Sequence, residues 1–106
     1  MIAVMNRLPV KEGATEELLE MFASSQGAVQ DFPGFISMQV MSSEEESEVV
    51  VITWWQSREA FGDWVHSESF QKAHGRSGAH LMSGRPKMAT YEVGLKREPG
   101  DAGEAT

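Results

Sequence analysis

Apolar and polar positions alternate through the first ten residues. In "MIAVMNRLPV", Ile2, Val4, Asn6 and Leu8 share one face by period-two alternation, the pattern of a strand with one side turned to a core. Asn6 interrupts that face. Asparagine is a poor strand former, and on an apolar inward face its amide must find a hydrogen-bond partner or lose about 1–3 kcal/mol. A polar group opposite it is expected. The period then changes: in "KEGATEELLEMFASSQGAVQ", Leu18, Met21, Phe22, Ser25 and Val29 recur at helical spacing, and Glu16 and Glu17 sit near the start, where negative charge suits the helix dipole. A helix of about four turns is predicted. "FPGF" reads as a turn. "ISMQVMSS" and "SEVVVITWWQ" read as two strands joined by the polar, acidic loop Ser42 to Ser47, which makes an antiparallel hairpin. Ser57 can cap a helix carrying Ala60, Phe61, Trp64 and Val65 on one face, and Ser67 a shorter one through His74, with Gly75 as its stop. After "GRSGAHLMSGRP", the run "KMATYEVGL" is a last strand.

Strand, helix, strand, strand, helix, strand is the order of a ferredoxin-like βαββαβ domain of the α+β class. It occupies residues 1–96, and 97–106 read as a disordered tail. Helices then cover one sheet face. The other face, also rich in Val, Ile and Met, calls for a second copy packed sheet against sheet, so a homodimer in the manner of a dimeric α/β barrel is expected.

Composition narrows the classes. A chain of 106 residues with 41% hydrophobic content suits one small domain. The absence of cysteine removes disulfides, thiolate catalysis and Cys-based metal sites, and fits a reducing cytoplasm. The apolar run "VVVIT" is too short to span a bilayer, and the first residues lack the basic start and apolar core of a signal peptide, so no membrane association is expected. A net charge of −7 argues against nucleic-acid partners, whose binding rests on neutralising phosphates.

The candidate chemistry is sparse. His74 alone reads as a helix-end residue, His66 and His80 no differently, and Trp64 alone as a core aromatic. The glutamates at 44–46 and 48 read as a solvated charge run. No nucleophile triad, phosphate-cradling glycine loop or paired-histidine metal spacing is present. Three weak signals converge, however. Asn6 faces the helical layer, and Trp64 and His74 come from the helices that cover it. One cleft between sheet and helices can hold all three, lined by Met21, Phe22, Phe61, Val65 and Phe70. Such an apolar lining with a few placed polar groups suits a flat aromatic ligand. A porphyrin meets that description, with neutral His74 available to ligate iron.

The phrase "TWWQSREAFGDWVHSESFQKAH", with "NRL" in the first strand, "PGF" in the turn and "YEVG" in the last strand, resembles the IsdG-type haem-degrading monooxygenases of the antibiotic-biosynthesis-monooxygenase superfamily. The likeness covers nearly the whole chain. It implies dimers of ferredoxin-like domains and a catalytic set of Asn, Trp and His, matched here by Asn6, Trp64 and His74. It also implies that haem is both cofactor and substrate, that the ring is opened with O2, and that iron is released. In that scheme His74 anchors the iron, Trp64 presses the porphyrin out of plane, and Asn6 donates its amide N–H to the oxygen and steers the site of attack. Arg76 and Lys72 are the candidates to meet the propionates. Electrons must come from an external donor, a reductase not identified by the sequence, because no flavin or nicotinamide fingerprint is present. Two other readings use the same cleft: a cofactor-independent oxygenase of aromatic or quinol substrates, and a non-catalytic haem-binding dimer.

Overall fold

Each strand read from alternation forms, and β1 lies inside the sheet. The computed structural model describes residues 1–24, 29–45, 47–68, 70 and 79–100. Through them run β1 (Ile2–Pro9), α1 (Thr15–Ala23), a 3-10 turn (Val29–Asp31), β2 (Phe35–Ser42), β3 (Glu48–Trp55), α2 (Arg58–Val65), a second 3-10 turn (Ala79–Leu81) and β4 (Lys87–Glu92). The strands form one antiparallel sheet in the order β2-β3-β1-β4. β1 and β3 are inside because they carry apolar side chains on both faces, whereas β2 and β4 are largely exposed and form the edges. Among the described residues the architecture is the α+β, ferredoxin-like one the element order implies.

Local chemistry accounts for the boundaries. The hairpin loop closes on Ser43, whose hydroxyl oxygen accepts from the backbone N–H of Ser47 at 3.0 Å and of Glu48 at 3.1 Å. Glu44 and Glu45 stay exposed. Ser57 caps α2 as expected, its Oγ accepting from Ala60 N at 3.1 Å. Ser67 Oγ likewise accepts from Phe70 N at 3.1 Å, while the remaining residues of the expected second helix, through His74 and Gly75, lie outside the described residues. At the "FPGF" turn Gly34 has φ +87°, and a Cβ there would collide with Cβ of Ala60. The turn and α2 therefore approach each other only because residue 34 lacks a side chain.

One expectation is corrected. α1 is 9 residues long rather than about four turns. It stops at Ser24, whose N–H donates to Glu20 O at 2.9 Å and whose hydroxyl donates to the same carbonyl at 2.8 Å, a side-chain competitor for the helix ladder. Val29 belongs to a separate 3-10 turn, and Ser25 lies outside the described residues. The segment before β4 is more than a connection. Lys11 N donates to Leu81 O at 2.9 Å, Ser83 N to Pro9 O at 3.1 Å, and Val10 bridges Met82, so the chain is stitched to the end of β1 with Leu81 buried. Of the tail expected over 97–106, residues 101–106 lie outside the described residues, and Lys96 Nζ pairs with Glu98 Oε1 at 2.9 Å.

The core divides in two. Leu8, Val10, Leu18, Val49 and Leu81 form an aliphatic cluster against which Met21, Phe22, Val40 and Val51 pack. Ile2, Val4, Trp55 and Trp64 form an aromatic one, joined by Phe32, Phe35, Phe61, Val65 and Phe70. The opposite sheet face carries Val50, Ile52 and Trp54 half-buried, with Met41 and Tyr91 exposed. No helix of the described residues is long and apolar enough to cross a membrane.

Candidate active site

Side chains paired directly across an antiparallel sheet share a face, so the register lays out the surface beneath the helices. One row is Phe35, Trp55, Ile2 and Glu92; the next is Met38, Thr53, Val4 and Thr90; the next is Val40, Val51, Asn6 and Met88. Asn6 thus lies on the helix-facing side, as its alternation with Ile2, Val4 and Leu8 requires. Its neighbours along β1 belong to different clusters, Val4 to the aromatic one and Leu8 to the aliphatic one. Asn6 stands on the seam between them.

The polar partner expected for Asn6 is not supplied by its strand neighbours, Val51 and Met88, which are apolar. Its Oδ1 is buried and has no hydrogen-bond partner among the described residues. An unpaired buried acceptor costs about 1–3 kcal/mol. Other buried polar groups nearby are provided for: Trp55, fully buried, donates from Nε1 to Thr53 Oγ1 at 2.9 Å.

Trp64 is 6% exposed and held in the aromatic cluster. Phe32 meets its ring edge-on with centroids 5.4 Å apart, Phe70 edge-on at 5.8 Å, and Trp55 lies tilted by 30° at 6.4 Å. Edge-on contacts are directional and hold a ring in one plane. The expected lining is divided between the clusters: Met21 and Phe22 of α1 stand on the aliphatic side, Phe61 and Val65 of α2 and Phe70 on the aromatic side. The seam runs between the two groups. His74, Lys72 and Arg76 lie outside the described residues.

The other two histidines have local roles. His66 caps the end of α2, its Nδ1 2.7 Å from Gly62 O, and His80 Nε2 lies 3.6 Å from Glu17 Oε2 on the surface. Among the described residues no group of three His, Asp or Glu side chains could hold a metal ion. Arg7 Nε and Nη2 donate to the two carboxylate oxygens of Glu48 at 3.1 and 3.2 Å. That hydrogen-bonded pairing, followed by its Coulombic attraction, raises the Arg7 pKa. It lies on the opposite sheet face, away from Asn6.

The sequence reading missed Thr53, which immobilises Trp55, and Met88, which flanks Asn6. Strand alternation could have placed both on the helix-facing side. The pairing of β4 with β1 was needed to put Met88 beside Asn6.

Comparison with known proteins agrees with this fold. The family model described as antibiotic biosynthesis monooxygenase matches residues 1–76. A heme-degrading monooxygenase of Listeria monocytogenes is 37% identical over 87 residues, covering 73% of this chain and 72% of the relative. One from Halalkalibacterium halodurans is 32% identical over 108 residues, covering 99% and 92%. The solved structure of the heme-degrader MhuD from Mycobacterium tuberculosis, with two hemes bound in its active site, superposes with a TM-score of 0.77 at 28% identity, covering 92% of this chain and 100% of that one. With the matching model covering β1, both helices and the hairpin, and relatives more than 30% identical over most of the chain, this chain belongs to the antibiotic biosynthesis monooxygenase family, among its IsdG-type members.

Proposed function

We propose that the protein is a haem-degrading monooxygenase, an oxidoreductase that opens the porphyrin ring and releases iron. The observation that carries the reading is the unpaired Oδ1 of Asn6, buried on the seam between two apolar clusters. Folding tolerates such an atom where a ligand completes it, and the surrounding apolar side chains suit a flat macrocycle. The residues present therefore fit haem. The relatives' names, and the hemes bound by MhuD, agree.

When bound, haem would supply both the redox centre that activates O2 and the ring that is consumed, with electrons from an external donor. The chain's own groups have separate tasks. His74 would anchor the iron and Arg76 meet a carboxylate of the ring's edge. Asn6 can present its amide N–H by a half-turn of the amide group, and so orient the oxygen and favour one carbon of the ring. Trp64 supplies bulk, and a bulky ring bends a ligand only if it is itself backed. Phe32, Phe70 and Trp55 give that backing.

We also propose that the active form is a homodimer built on the uncovered sheet face, where Trp54, Ile52 and Val50 await cover. Its partner in turnover is a reductase, and a cytoplasmic setting suits a chain without cysteine.

Haemin titration into the purified protein, followed by ascorbate under air, tests the function. A stoichiometric Soret shift, then loss of the band with a ring-opened product, is expected. Binding without turnover would make the protein a haem carrier. No Soret shift, with oxygen consumed on adding a quinol, would favour the cofactor-independent reading. Sedimentation equilibrium tests the dimer, and a stable monomer at micromolar concentration would contradict it.

A further inference from the structure

The row that holds Asn6 is covered unevenly. Val40 and Val51, on β2 and β3, are half-buried against the aliphatic cluster, whereas Met88 at the other end, on β4, is 62% exposed. α1 packs over β2 and α2 over β3. Among the described residues neither helix packs closely over β4, and Met88 is the first side chain beyond Asn6 in that direction. Direct cross-strand neighbours hold their Cβ atoms about 4.5–5.5 Å apart. A flat ligand completing the Asn6 amide is wider than that spacing, and exposed Met88, rather than half-buried Val51, is the neighbour with room to meet it.

Resting on the haem-degrading reading, we infer that Met88 contacts the substrate ring and helps select which of its edges is opened. Three observations converge on it: the Asn6–Met88 register, the shared helix-facing side, and exposure of a large apolar side chain beside a buried acceptor that is unpaired among the described residues. Methionine chemistry suits the role. The unbranched thioether adapts to an irregular surface, and sulfur against an aromatic face contributes about 0.3–1.5 kcal/mol. Asn6 fixes where the oxygen points; Met88 fixes how far the ring slides along the sheet beneath it. Together they determine which ring carbon stands opposite the oxygen.

The test uses the full chain with Met88→Ala, Met88→Leu and Met88→Phe, haemin as the ligand and ascorbate as the donor. Haem affinity is read by spectral titration, and the ring-opened isomers are separated by chromatography and weighed per haem consumed. Met88→Ala is expected to weaken haem binding by about two- to tenfold and to change the isomer proportions. Met88→Phe should change them differently, and Met88→Leu, which conserves volume, should stay near wild type. Because the side chain is exposed, melting temperatures should barely move, which separates contact with substrate from packing. If Met88→Ala and Met88→Phe both give wild-type affinity and proportions while the wild type binds and degrades haem, Met88 has no such role and the haem reading stands. If the wild type itself fails to bind haem, both are overturned.

Discussion

The aliphatic and aromatic halves of the core are built on the same sheet face yet differ in what they can hold still. Around Leu8, Leu18, Val49 and Leu81 the packing is non-directional: many side-chain arrangements fill the same volume at similar cost. Around Trp55 and Trp64 the phenylalanine rings meet the indoles edge-on, at interplanar angles of 63–88°. The polar atom of Trp55 is tied to Thr53. One half stabilises the domain; the other also sets the plane of Trp64, the ring proposed to press on the ligand. The unpaired amide of Asn6 sits where the two meet.

The largest test of that contrast truncates one residue on each side. Trp55→Ala is expected to lose about 3–5 kcal/mol and Leu18→Ala about 2–5 kcal/mol by chemical denaturation. The two should diverge in haem chemistry. Among molecules that remain folded, Leu18→Ala should keep the wild-type proportions of ring-opened products and Trp55→Ala should not. Equal behaviour would remove the distinction between the halves.

Asn6→Leu sharpens the seam. Replacing an unpaired buried acceptor by an apolar side chain should stabilise the haem-free protein by about 1–3 kcal/mol, seen as a higher melting temperature, while turnover falls. A lower melting temperature would mean that the amide is satisfied in solution and is not held open for a ligand.

Trp64→Phe keeps most of the packing and reduces bulk. Haem should still bind, and single-turnover loss of the Soret band should slow by on the order of tenfold, equivalent to about 1.4 kcal/mol of barrier. Wild-type turnover per bound haem would leave Trp64 as a core residue alone.

The smallest effect belongs to the Arg7–Glu48 pair on the opposite face. Hydrogen-bonded pairing with Glu48 raises the Arg7 pKa above the ordinary guanidinium value. A raised pKa contributes stability that is present below the unfolded value and lost only as pH rises through the folded one, so this group adds no slope to stability between about pH 5 and 9. Arg7→Ala should leave the melting temperature of the monomeric unit and haem turnover almost unchanged. A large change in either would show that the opposite face communicates with the site.

Much of the fold was legible because its signals are local. Alternation in β1 put Asn6 on the inward face, and Ser57 and Ser43 mark an end and a turn through hydrogen bonds made within five residues in sequence. The end of α1 was misjudged because apolar spacing persisted through Val29 while Ser24 drew off the Glu20 carbonyl, an effect that periodicity does not register. Leu81 was overlooked because a short 3-10 turn has no repeating pattern. Residues of the candidate site were suggested by composition and resemblance, but their arrangement depends on contacts across strands.

Sequence by itself determined the element order, the inward face of each inner strand and the surplus apolar surface that asks for a partner, since these follow from side-chain periodicity and from what a chain of 106 residues can bury. Tertiary structure decided the rest. Register made Met88 the neighbour of Asn6, packing divided Met21 and Phe22 from Phe61, Val65 and Phe70, and apolar strand neighbours left the Asn6 acceptor unpaired among the described residues. The reason is that periodicity specifies which way a side chain points, whereas a site depends on what stands opposite, and that is set by pairing between segments as far apart in the chain as β1 and β4.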